Sequence, residues 1–363
     1  MPQQISLFEN RNDGDVGKIP LGGIKGCVAA KIQLAHKFEE IISLENLFSA
    51  WREFLVGKKK KKDVQEFSRN LADNILSLHD DLANKTYCHG GYKSFYVTDP
   101  KLRHIHKASV RDRLLHHAVY RILYPFFDKI FIADSYSCRL GKGTHKAINR
   151  FKRMIYIVSK NNTRTCWILK CDIKKFFASI NHKILIEIIE QYITDKDILW
   201  LLKNIIDSFE SVVGVGIGLP LGNLTSQLFA NIYMNEFDRW VKHKLKEKDY
   251  VRYADDFILL SEDKEHLISF ITKIGNFLKE RLKLSLHPGK IILKTVSSGI
   301  DFLGWSLFPD HRILRRTTCR RMLERIKESP TNATLNSYLG LLKHGNAKKV
   351  REKIIMSYWL FKE

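Results

Sequence analysis

Three aspartates carry the chemistry this sequence can offer. Asp172 closes the apolar run "CWILKCD", and Asp255 and Asp256 stand side by side in "YVRYADDFILLSE" at 250–262, between two stretches that read as buried β-strand. Ionised carboxylates in an apolar setting cost on the order of several kcal/mol unless a partner offsets them. Neighbouring side chains of an extended strand point to opposite faces, so Asp255 and Asp256 could not both reach one point there. A tight hairpin turn through "YADD" breaks that alternation. Set beside the strand that ends at Asp172, the turn gathers two or three carboxylates, which repel one another and push their pKa values up. Two Mg²⁺ ions about 3.5 to 4 Å apart, or Mn²⁺ in their place, resolve the repulsion. Such a pair supports phosphoryl transfer to a 3′-hydroxyl, one ion activating the hydroxyl and the other steadying a leaving pyrophosphate. Taken alone, Asp172 would read as a helix N-cap.

The elements that must position these groups follow from periodicity. The strand "TCWILKCDI", a helix "NHKILIEIIEQYI", a glycine-punctuated loop "VVGVGIGLPLGN", a helix "LTSQLFANIYMNEFDRWVKHKL", the hairpin and a helix "HLISFITKIGNFLKERL" make an α+β unit around an antiparallel sheet. Upstream, "SLENLFSAWREFLVG" has helical spacing, and "VQEFSRNLADNILSLHDDLANK" reads as one further helix. Between them Lys58 to Lys62 form an unbroken lysine run, either a solvated loop or a phosphate contact. "YKSFYVTDPKLRHIH" at 92–106 switches to alternation and predicts a β-hairpin with Asp99-Pro100 as its turn. "SVRDRLLHHAVYRILYPFFDKIF" returns to helix, with Ser109 as cap and Pro125 near its end. Residues 1 to about 36 are glycine-rich and irregular, and the tail from about 317 is helical and basic.

At 363 residues the chain has room for two or three structural units and a sizeable core. Lys plus Arg number 61 against 39 Asp plus Glu, a formal net charge of +22, and this excess points to a polyanionic partner. No apolar run is long enough to span a membrane, and "MPQQISLFENRNDGDVGK" lacks a signal-peptide pattern, so the expected location is cytoplasmic, with no membrane partner. The six cysteines include no CxxC pair and read as structural thiols.

With these residues in place, the sequence resembles a reverse transcriptase of the bacterial group II intron-like superfamily. "DIKKFF" at 172–177 is similar to the first palm motif, "YADD" at 253–256 to the second, and "LKLSLHPGK" at 282–290 and "IDFLGW" at 300–305 to the two that follow. "GLPLGNLTSQLFANIYMNEFD" fits the helix that backs the templating pocket, while "RHIHKASVRDR" and "DSYSCRLGKGTHKAI" resemble fingers motifs. The likeness runs in order over roughly 40 to 360. It implies a right-hand polymerase, with an N-terminal extension at 1–40, fingers at 41–165, a palm at 166–310 and a short helical thumb at 311–363.

The resemblance also assigns roles. Asp172 and Asp255 would hold both metal ions, with Ile173 and Asp256 counted among the metal-site residues and Asp256 more a support than a ligand. Phe177 would be the aromatic gate against a ribose 2′-hydroxyl, and Ile173 would also border the nucleotide. Lys290 would protonate the leaving pyrophosphate. Arg103 and Arg113 would reach the triphosphate, and Arg139 a template or a structural contact. Arg312, Arg315, Arg316, Arg320, Arg321 and Arg325 fall where a thumb grips duplex, implying a steep salt dependence of template binding. One departure is informative: many reverse transcriptases have Pro-Gln-Gly beneath the nucleotide, and this chain has Pro220-Leu221-Gly222. Leu221 and Gly222 would line the pocket without the amide. Leu221, "LGNLTSQ" and "SYLGLLKHGNA" at 337–347 look most like the enzymes of diversity-generating retroelements, which copy template adenines with errors and work with a small basic accessory protein. Expected partners are then a template RNA, a cDNA or primer, dNTPs and that accessory protein. Two other readings stay open: an antiphage-defence reverse transcriptase, protein-primed or template-independent, and a non-catalytic RNA-binding protein on a polymerase fold.

Overall fold

The structure, a computed structural model, describes residues 32–98 and 102–362. The glycine-rich start up to residue 31, the expected Asp99-Pro100 turn and Lys101 lie outside the described residues. The chain opens with α1 (Phe38–Ile42), α2 (Leu44–Phe54), α3 (Lys62–Arg69) and α4 (Leu71–Ala83), then the hairpin of β1 (Lys93–Val97) and β2 (Arg103–Lys107). Next come α5 (Val110–Ile130), α6 (Thr144–Val158), β3 (Trp167–Asp172), α7 (Phe176–Ser179), α8 (His182–Glu190), α9 (Lys196–Asp207) and α10 (Leu224–His243). A second hairpin, β4 (Tyr250–Tyr253) and β5 (Asp256–Ser261), is followed by α11 (Lys264–Leu282) and β6 (Ile292–Thr295). The last part holds β7 (Ile300–Phe302), β8 (Trp305–Leu307), β9 (Arg312–Leu314), α12 (Arg316–Glu328), α13 (Asn332–Leu342) and α14 (Lys348–Phe361).

Local signals set most of these boundaries. Ser43, Ser109, Asn181 and Asp263 each accept a hydrogen bond from a backbone N–H in the first turn of the helix they precede. One expectation needs correction. The single helix expected over "VQEFSRNLADNILSLHDDLANK" is two, because Asn70 leaves helical geometry at φ −118°, ψ 46°. There the Asn74 side chain caps the Phe67 carbonyl at 2.9 Å, so the break is hydrogen-bonded. Pro125 lies near the end of its helix, as expected, and α5 runs on past it to Ile130. Proline in a helix interior costs roughly 3 kcal/mol. Leu123, Tyr124 and Phe127 are buried around it, and that packing offsets the loss.

The central sheet has the order β4-β5-β3-β6 and every neighbour is antiparallel. Both of its faces are covered. Leu169, Cys171, Tyr250, Phe257 and Leu259 face the larger core with α10 and α11, while Ile168, Val251, Ile258 and Leu260 face a second core shared with α6 and the C-terminal elements. Two-sided burial explains why these strands read as nearly continuous apolar runs. A separate three-stranded sheet, β7-β8-β9, follows, and β9, which periodicity did not suggest, pairs Arg312–Leu314 with β8 and so leads directly into α12.

One buried ion pair joins the sheet to the helix behind it. Arg252 on β4 and Asp238 on α10 are 1% and 0% exposed, and the guanidinium grips the carboxylate through Nε at 2.7 Å and Nη2 at 2.6 Å. The Tyr250 hydroxyl donates to the same carboxylate at 2.7 Å. Arg252 also donates to Ser135 Oγ at 3.0 Å and to the Ala254 carbonyl at 3.0 Å, so the fork is almost fully used. Removing one partner strands the other charge, which costs about 3–5 kcal/mol for a buried pair. Arg252→Leu is therefore expected to lower the urea unfolding free energy by about that amount, and Arg252→Leu with Asp238→Leu by clearly less. A single-variant loss below about 1 kcal/mol would contradict this role.

Candidate active site

At one end of the central sheet β4 turns into β5 through Ala254 and Asp255, with Tyr253 and Asp256 paired across the turn. Ala254 has φ +57°, the left-handed backbone that a two-residue hairpin loop requires at its first position. The expected tight turn through "YADD" is thus present. Arg252 helps hold it through the Ala254 carbonyl, and Asp255 accepts the Ile173 N–H at 3.2 Å, which fastens the turn to the end of β3.

Register then decides which side chains meet. Asp172 on β3 lies opposite Asp256 on β5, so the two share a face. Lys170, two residues before Asp172, is on that face too. Its Nζ lies 3.0 Å from Asp256 Oδ2, whereas Asp256 Oδ1 is buried without a hydrogen-bond partner. Asp172 receives Lys290 Nζ on Oδ1 at 2.8 Å, and its carbonyl accepts the His287 N–H at 2.8 Å. The two lysines differ in freedom: the Lys290 side chain is 42% exposed and that of Lys170 only 14%. Asp255 stands in the turn beside them. Burial raises its carboxyl above the usual value and the Asp172 charge adds to this, against the pull of Lys290 and Arg103. Burial pushes Asp256 up to about 6, with Lys170 opposing.

The remaining site candidates divide. Ile173 is buried, so it can serve an ion or nucleotide only through its backbone. Arg103 on β2 lies near enough for its charge to act on Asp255. The loop of Leu221 and Gly222 lies along the same strand: the Leu221 carbonyl accepts the His106 N–H at 2.9 Å and Asn223 donates to the His106 carbonyl at 2.9 Å. Gly222 has φ +110°, and a Cβ there would come 2.9 Å from Ile105 Cγ2, so glycine permits this close approach. Phe177 packs edge-on to Phe176 at 5.4 Å and lines a small recess with Ala254, Gln227 and Asn231. Arg113 is not drawn to the carboxylates: its guanidinium binds Asp63 at 2.6 Å and lies over the Phe54 ring. Arg139 is buried and structural, bound to Asp128 at 2.7 Å and to the Ile132 and Ser135 carbonyls. Within the lysine run, Lys58 turns back onto the Phe54 carbonyl, while Lys59, Lys60 and Lys61 are not buried.

Sequence reasoning missed Lys170, Arg252 and Asp238. The signal for Lys170 was its i−2 spacing from Asp172, and for Arg252 a lone cation inside the apolar run "YVRYADDFILL". As they stand, no three His, Cys, Asp or Glu side chains among the described residues converge tightly enough to enclose an ion. The donor set nonetheless suits a hard divalent cation: carboxylate oxygens lie close enough for the Asp172 charge to raise the Asp255 carboxyl, and the ammonium paired with Asp172 is partly open to solvent.

The sequence profile of the family "Reverse transcriptase (RNA-dependent DNA polymerase)" matches residues 97–307. The chain belongs to the reverse transcriptase family. Among curated proteins it is similar to Protein YkfC of Escherichia coli strain K12, with 26% identity over 284 residues, 68% of this chain and 72% of that one. The group II intron-encoded protein LtrA of Lactococcus lactis subsp. cremoris is 23% identical over 74% of this chain, and the match spans 54% of LtrA. The retron Ec73 reverse transcriptase of Escherichia coli is 33% identical over 121 residues, 29% of this chain and 34% of that one. Among the described residues no helix is long and apolar enough to cross a membrane.

The electrostatics predict a pH signature. The folded protein keeps the Asp256 proton to about pH 6 while an ordinary aspartate releases it near 3.8, so folding takes up a proton in that window. Stability therefore falls as pH rises through it, by roughly 3 kcal/mol at most from this group. Urea unfolding in metal-free buffer between pH 4 and 7 is expected to show this fall in wild type and a flatter profile in Asp256→Asn. Equal slopes in the two proteins would exclude Asp256 as the source.

Proposed function

We propose that this protein is an RNA-directed DNA polymerase that extends a primer on a template RNA using dNTPs and divalent metal. The observation that carries the reading is the placing of Asp255, in a turn fastened to β3, beside Asp172 at the end of that strand. In this reading 41–165 are fingers, 166–310 palm and 311–363 thumb, and 1–40 an N-terminal extension. Asp172 and Asp255, with the backbone of Ile173, hold two Mg²⁺ ions. Bound there, the ions activate the primer 3′-hydroxyl and steady the leaving pyrophosphate. Asp256 supports the turn, because Lys170 already occupies one of its oxygens.

The other groups bind and orient. Arg103 supplies positive charge at the edge of the site for the triphosphate, where a guanidinium fork matches phosphate oxygens. Lys290, exposed and held at Asp172, can move to the pyrophosphate and donate a proton. The Phe177 ring stands against the ribose 2′ position and selects deoxynucleotides by bulk. Arg113 must leave Asp63 to reach a triphosphate, so it remains with the scaffold. The basic thumb suits a nucleic-acid duplex, although Arg315 is engaged with Asp301 and Arg325 with Glu328.

For biological role, the reading with most support in the residues is error-prone copying of template adenines in a diversity-generating retroelement, with a small basic accessory protein. Leu221 carries it, since an aliphatic side chain offers the nucleotide pocket no amide. The test is primer extension on an RNA template with Mg²⁺, followed by product sequencing. Wild type is expected to extend, Asp255→Asn to lose at least about 10³-fold in rate (about 4 kcal/mol), and Leu221→Gln to make fewer errors opposite adenine. Template-free polymer would favour the defence role, extension surviving in Asp255→Asn would overturn the site, and unchanged adenine errors in Leu221→Gln would remove the retroelement assignment.

A further inference from the structure

Lys170 holds more than Asp256. Its Nζ donates to the backbone carbonyl of Asp301 on β7 at 2.7 Å, and it lies 5.7 Å from the centre of the Phe302 ring. Asp301 is itself a junction: its carboxylate accepts Ser306 Oγ on one oxygen and pairs with Arg315 Nε at 2.9 Å on the other. Arg315 is the residue that precedes α12. A continuous polar route thus runs from Asp256, through a largely buried ammonium, to the three-stranded sheet and the first helix of the C-terminal region. Among the described residues no strand pairing joins the two sheets, whose strand orders are separate.

We infer that Lys170 is a positioning residue that registers the aspartate turn against the β7–β8 hairpin and the C-terminal helices, rests on the polymerase reading above, and keeps Asp256 off the ions. The chemistry supports this division. An ammonium has three donors, and here two carry hydrogen bonds to groups on different sheets. The Lys170 side chain is 14% exposed and that of Lys290 42%, so these contacts are less open to exchange with water than the Lys290 contact on Asp172. Asp256 is consequently anchored on one oxygen, whereas Asp255 is left to an incoming cation. Displacement of the C-terminal helices by a nucleic-acid duplex would pull on Asp301 and, through Lys170, on the turn.

The test compares wild type, Lys170→Met and Lys170→Arg in primer extension, reading kcat, KM for dNTP and the Mg²⁺ concentration for half-maximal rate, alongside thermal melts. The expected result for Lys170→Met is a kcat at least about tenfold lower and a raised Mg²⁺ requirement, with KM for dNTP within about threefold and a folded protein by melting. Lys170→Arg keeps a cation in place and should recover most of kcat. If Lys170→Met melts cooperatively and its kcat and Mg²⁺ requirement match wild type, the inference is overturned. If Lys170→Met does not fold, Lys170→Arg decides: a normal melt with wild-type kinetics and Mg²⁺ requirement sustains the cation as the positioning element, and a normal melt with lost activity and no change in Mg²⁺ requirement overturns it. Absence of extension by wild type itself is a failure of the polymerase reading, is visible before any variant is compared, and takes this inference with it.

Discussion

The site depends on the buried pair between Arg252 and Asp238. A two-residue turn with a non-glycine residue at positive φ is not a resting place the chain would choose unaided. Arg252 stabilises it by binding the Ala254 carbonyl while anchored to a carboxylate on α10, a helix whose residues are mostly buried. The same guanidinium reaches Ser135, and the backbone of Arg252 bonds Asp134 and Tyr136, so the segment after α5 is fixed to the sheet as well. The cost of burying both charges is offset only with every donor occupied, which makes the arrangement specific to one geometry.

From that anchor the electrostatics follow. Three aspartates lie close together, and each is dealt with differently. Asp256 is tied to a buried lysine, Asp172 to an exposed one, and Asp255 has neither. This gradient of neutralisation leaves one carboxylate with a buried counter-charge, one with a more exposed counter-charge and one with no lysine paired to it. Burial raises Asp255 and Asp256, and for Asp256 the face that bears it is also a core face, continuous with Ile258 and Leu260.

Much of this was legible in the sequence because it is written in local patterns. Alternation placed the first hairpin and apolar runs flanking "YADD" the second, the cap at Ser109 placed a helix start, and the ordered motifs located Asp172, Asp255 and Lys290. What could not be read depends on through-space partners. Nothing local distinguishes Arg113, which turns to Asp63, from Arg103, which stays beside the site. Nor does periodicity show that Lys170 reaches across to β7, or that Asn70 interrupts a helix whose apolar spacing continues. The short β9 escaped notice because three residues are too few to carry a period.

The central claim is that Asp172 and Asp255 form one cation site while Asp256 supports it. The most direct measurement is Mn²⁺ binding by electron paramagnetic resonance in wild type, Asp172→Asn, Asp255→Asn and Asp256→Asn. The account predicts that Asp172→Asn and Asp255→Asn each weaken binding at least about tenfold, about 1.4 kcal/mol, and that Asp256→Asn leaves it within about threefold. Equal loss in all three variants, or loss confined to Asp256→Asn, would contradict it.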